Sequence, residues 1–93
     1  APQFELFDLS ANFFESSQVV AISGKVRNLG QRPARGHVIV YFRSDADEIL
    51  YTAEVDVNGR SPFPHGVAVP FETSAGLGGA VDIRKVLVEF VAD

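Results

Sequence analysis

Asp45, Asp47 and Glu48 fall within one short stretch, and their types and spacing suggest chemistry. Carboxylates this close offer the oxygen ligands that Ca²⁺ takes, of which it needs about six to eight. An EF-hand loop also requires glycine at its sixth position and glutamate at its twelfth; counting from Asp45, those positions hold Leu50 and Asp56. Asp and Glu are also common in hairpin turns, where they are soluble and bond to local backbone. The expectation is no metal centre, with these three acids the nearest approach to one. His37 and His65 are the only histidines and there is no cysteine, whereas zinc needs three or four ligands. Both read as surface histidines. Ser10, Ser16, Ser17, Ser23, Ser44, Ser61 and Ser74 supply hydroxyls, but none sits in a Gly-x-Ser-x-Gly elbow. Nothing pairs one of them with a base, so the chain reads as a non-enzyme without a cofactor. Gly76-Leu77-Gly78-Gly79 looks superficially like a phosphate loop, but it lacks the Lys-Ser/Thr pair and precedes a strand pattern rather than a helix.

The apolar residues that fall off the presumed core face are more informative. Phe7, Phe13, Phe14, Ile39, Tyr41 and Phe63 lie opposite that face or in connections. Aromatics on the wet face of a sheet form contact patches for partners. Phe13-Phe14 and Phe63 can also cap the ends of a sandwich. Ile39 and Tyr41 are the best candidates for partner contact, followed by Phe7 and Phe63.

The elements that must position these residues read as strands. Hydrophobicity alternates with period two along most of the chain, and no segment carries a helical period. A first strand is predicted over about Phe4–Leu9, followed by a turn at Ser10-Ala11-Asn12. The clearest strand is Val19–Asn28, with Val20, Ile22, Gly24 and Val26 on one face and Ser23, Lys25 and Arg27 on the other. Gly24 on the apolar face marks a bulge or a close neighbour. Further strands are predicted over Ala34–Arg43 and Ile49–Val57, around Val67–Glu72, and over Arg84–Val91. Pro70 inside its strand points to an edge strand or a solvent-facing amide position, because proline cannot donate to a ladder. Ser74–Ala80 reads as a glycine-rich loop. Several short strands separated by Gly, Pro, Asn and Asp turns predict an all-β, antiparallel, immunoglobulin-like sandwich of about six or seven strands. Residues 1–93 are expected to be one domain.

Composition narrows the function. The chain is 46% hydrophobic, enough for a real core, and its net charge of −4 argues against nucleic acid, which needs clustered Lys and Arg. No apolar run approaches the length of a membrane helix. The start at Ala1-Pro2, without Met, leaves open a cleaved leader, a trimmed Met and an excised module.

Residues 22–34, Ile-Ser-Gly-Lys-Val-Arg-Asn-Leu-Gly-Gln-Arg-Pro-Ala, resemble the opening of two related domain types, the FxLYD domain and the bacterial cell-adhesion-related domain CARDB. The resemblance continues through Val38–Phe42, Glu48–Leu50, Val67–Phe71 and Val86–Phe90. It implies an immunoglobulin-like accessory module in an exported or surface protein, with no catalytic residues to carry over. The expected role is a non-catalytic interaction or spacer module, located in the periplasm, in the envelope or outside the cell. Its partner would be another protein or a neighbouring domain. The alternative is a ligand-binding module for carbohydrate or Ca²⁺. The carbohydrate version is weakened by the absence of Trp and the presence of only two Tyr.

Overall fold

The computed structural model describes residues 3–14, 16–76 and 85–93. Six strands form: β1 (Phe4–Phe14), β2 (Val19–Asn28), β3 (Gly36–Arg43), β4 (Ile49–Val57), β5 (Ala68–Gly76) and β6 (Lys85–Ala92). They make two three-stranded antiparallel sheets, ordered β1-β2-β5 and β4-β3-β6, packed as a β-sandwich. A short 3₁₀ turn, Asn58–Arg60, follows β4. No helix among the described residues is long and apolar enough to cross a membrane.

Period-two alternation explains the packing. Val20, Ile22 and Val26 of β2 and Val38, Val40 and Phe42 of β3 point inward and are buried, and Val57, Phe71 and Ala75 complete the core. Gly24 shares the inward face of β2. A Cβ there would come within 2.6 Å of Leu9 Cδ2 and 2.8 Å of Phe71 Cζ, so this glycine makes room for two large neighbours. Pro70 lies on edge strand β5, as expected. The Asn28 N–H donates to the Val67 carbonyl at 3.2 Å. This sets the phase of the β2–β5 ladder so that the proline nitrogen, which has no hydrogen, faces the free edge.

Three expectations need correction. Ser10-Ala11-Asn12 is not a turn. β1 runs on to Phe14, paired with β2 throughout, after a register shift between Phe7 and Ser10. Asp8 sits in that bulge at φ 53°, and the extra residue breaks the alternation that the turn was read from. The third strand starts at Gly36 rather than Ala34, and Ala34 instead makes an isolated bridge to Phe63. Ser74, Ala75 and Gly76 belong to β5 and not to a loop, because they pair with Ala21, Val20 and Val19. Leu77, Gly78, Gly79, Ala80 and Arg84 lie outside the described residues.

The two sheets are not evenly closed. β4 packs over β5, whereas β1 and β6 barely touch. A small opening of about 150 Å³ remains between β1 and β6, lined by Leu9, Ser10, Ala11, Ile22, Val86 and Val88.

Candidate functional site

The outer face of the β4-β3-β6 sheet is built in cross-strand rows. Glu54, Ile39 and Glu89 form one row, Thr52, Tyr41 and Leu87 the next, and Ile49, Arg43 and Lys85 the third. The register therefore brings Ile39 and Tyr41 together, as the sequence suggested, and adds Leu87 and Ile49 to them. Leu87 is 48% exposed and Ile49 54%, while Ile39 and Tyr41 are half-buried among their neighbours. An apolar centre rimmed by Glu54, Glu89, Lys85 and Asp47 has the make-up of a protein-contact surface.

Tyr41 is held on this face by its hydroxyl, which donates to Glu89 Oε2 at 3.1 Å. That hydrogen bond raises the phenol above its ordinary 10.0, and desolvation and the Glu89 charge act in the same direction. With the folded value raised, the linked stability is fully present below the ordinary tyrosine pKa and is lost as pH rises through the folded value. Glu89→Gln, in a Tyr51→Phe background, should move the phenolate absorbance titration of Tyr41 down towards 10.0. An unmoved curve would mean that Glu89 does not hold the hydroxyl.

Ser44-Asp45-Ala46-Asp47-Glu48 forms a self-satisfied turn. Ser44 Oγ accepts from the Ala46 and Glu48 amides at 3.2 and 3.3 Å. Asp47, at φ 62°, accepts from Lys85 Nζ at 2.9 Å, and this contact is the main reason that its carboxyl titrates below 3.8. That contribution is present at neutral pH and lost as pH falls through the lowered value. The pair is exposed, so it is small. The turn does not gather Asp45, Asp47 and Glu48 into one ligand set, and no group of three His, Cys, Asp or Glu among the described residues is placed to hold a metal ion.

The other candidates separate. Phe7 lies on the outer face of the opposite sheet, under the Arg27 guanidinium 4.6 Å from its ring centre, and Arg27 also pairs with Glu5 at 3.0 Å. Phe63 is a correction: it is only 1% exposed and belongs to the core, with its ring edge-on to Phe90 at 6.1 Å. It is therefore not available to a partner.

His37 lies on the outer face of β3 between Asp56 and Val91. His65 Nδ1 donates to the Gly30 carbonyl at 2.8 Å, so this histidine fastens two loops. The larger loop anchor is Asn28, a buried polar residue at the end of β2 that belongs to the stretch 22–34 singled out in the sequence. Its Nδ2 donates to the carbonyls of Arg32 (2.8 Å) and Phe63 (3.0 Å), and its Oδ1 accepts from the Gly30 amide (2.8 Å). A cleft of about 730 Å³ opens beside these loops, and its charged lining residues are Arg32, Arg35 and Asp93. Asp93 lies 4.0 Å from both Arg35 and Arg60.

No family model matches this chain, and neither a curated protein nor a solved structure shows significant similarity to it.

Proposed function

We propose that this chain is a non-catalytic interaction module of immunoglobulin-like type in an exported or cell-envelope protein. Its outer β4-β3-β6 face meets a protein partner or a neighbouring domain. The observation that carries this reading is the group of Ile39, Tyr41, Leu87 and Ile49 on one outer face with charges at its margin. The strand order supports the immunoglobulin-like part. Read as A, B, C, C′, E and F, the six strands give the sheets A-B-E and C′-C-F of that architecture. The exported setting rests on the resemblance of residues 22–34 to accessory domains of surface proteins. A net charge of −4 favours protein over nucleic acid as the partner class.

Site-specific photo-crosslinking in the native host tests the face. A crosslinker at position 41 or 49 should trap one protein, whereas one at Ser74, on the outer side of the other sheet, should trap none. Ile39→Ala with Tyr41→Ala should abolish the crosslink from position 49 while the domain stays folded. Equal trapping from positions 41 and 74, or a crosslink indifferent to the double alanine variant, would overturn the assignment.

A further inference from the structure

β6 ends its sheet, and among the described residues nothing pairs with its outer edge. The phase of the β3–β6 ladder shows which groups that edge offers. The Asp93 N–H donates to the Arg35 carbonyl at 2.8 Å, so the odd-numbered residues of β6 bond to β3. The N–H and C=O groups of Val86 and Val88 consequently point outward. On the outer face of the sheet the same strand carries Lys85, Leu87 and Glu89, a sequence that is charge-complementary to its own reverse.

We infer that β6 pairs antiparallel with β6 of a second copy of this chain, centred on Leu87, so that two sandwiches share one continuous six-stranded sheet. In this register Val86 and the second copy's Val88 exchange both backbone hydrogen bonds, and the symmetric pair does the same. Lys85 stands opposite the second copy's Glu89 twice over, and Leu87 meets its own counterpart. These are the non-hydrogen-bonded positions, where cross-strand side chains come closest.

The alternative two-fold registers are worse. Centred on Glu89 the pairing opposes two carboxylates, and centred on Lys85 it opposes two ammonium groups. Centred on Val88 it sets Leu87 against Glu89. The centre on Leu87 also brings Val86 and Val88, which line the opening between β1 and β6, against the same residues of the second copy. In the single chain Lys85 reaches Asp47 and Glu89 accepts from Tyr41. Both contacts are exposed and weak enough to yield.

This inference goes beyond the partner-binding face, and its test reads oligomeric state alone, so either can fail without the other. Sedimentation equilibrium from about 10 µM to about 1 mM should show monomer–dimer association of the 93-residue chain. Lys85→Glu and Glu89→Lys each turn two attractive pairs into repulsive ones and should each weaken association roughly ten-fold or more. An equimolar mixture of the two variants should recover a heterodimer, because each position then faces its opposite charge. The Lys85→Glu/Glu89→Lys double variant should recover the homodimer. These recoveries also separate lost pairing from lost folding.

A wild-type chain that stays monomeric throughout the range overturns the inference and leaves the edge to a strand of another protein. So does a dimer indifferent to the single swaps, which would use another surface, and so does a failure of both the mixture and the double variant to recover association.

Discussion

Phe63→Ala should lower the free energy of unfolding by about 3–5 kcal/mol, the range for an aromatic truncated in a packed core. Small domains have totals at the lower part of about 5–15 kcal/mol, so this one side chain carries a large fraction of the stability. The physical reason is its position. Phe63 lies outside every strand, yet it is 1% exposed and plugs the end of the sandwich against Phe90. Its backbone bridges Ala34 in both directions, at 2.8 and 3.0 Å, and its carbonyl also takes the Asn28 amide. Alanine keeps the backbone bonds and loses the packing, whereas Asn28→Ala keeps the packing and loses three hydrogen bonds. Urea denaturation of both variants and of the double variant closes a cycle. The two residues touch, so a coupling of about 1 kcal/mol is expected, and strict additivity would show that they act separately. Phe7→Ala, on an outer face, should cost less than half as much as Phe63→Ala. A Phe63→Ala loss of under about 1 kcal/mol would remove Phe63 from the core.

Gly36→Ala is the second large effect, with an expected cost of about 3 kcal/mol, the upper part of the range for overpacking. A Cβ at position 36 runs into the Val91 carbonyl oxygen and also comes within 3.0 Å of the Ala92 Cα and the Phe90 Cζ. Two of these three are backbone atoms of β6, and they cannot swing aside as a side chain does. Accommodation requires β6 to move away from β3 along the central pairing of the sheet. Gly76→Ala is the control. It also lies in a strand, but among the described residues nothing stands within 4 Å of the added atom, and a change within about 0.5 kcal/mol is expected. Thermal melts of the two variants side by side decide the matter, and equal melting temperatures would show that the sheet has slack at Gly36.

Part of this architecture is visible in the chain itself. Val20, Ile22, Gly24 and Val26 alternate without interruption, so β2 and its buried face follow directly from the residue order. Pro70 states its own place at an edge. β1 was half legible because the single extra residue at Asp8 reverses which side chains point inward. Read with an unbroken period of two, Ser10–Asn12 looks like a turn. Phe63 is ambiguous for a different reason: a loop containing Pro62 and Pro64 reads as surface, so its ring can be offered to a partner or as a cap on the end of the sandwich, and its 1% exposure decides for the cap.

The functional face divides in the same way. Ile39 and Tyr41 stand out within one strand because they oppose the buried valines. Leu87 and Ile49 join them only through cross-strand register, Ile49 from the next strand past a register shift and Leu87 from a strand distant in sequence. The Asn28 hydrogen bond to the Phe63 carbonyl likewise exists only once two separate connections have met.

The rings of Phe4 and Phe90 lie 4.5 Å apart, so the first and last described strands have their outer termini at the same end of the sandwich. This has a mechanical consequence. Tension applied through residues 3 and 93 would pull β1 and β6 from one end, opening their ladders one rung at a time like a zipper instead of shearing all rungs at once. Held by those two points, the domain would hang to one side of the line of force as a pendant, presenting its far end outward and adding little length to whatever carries it.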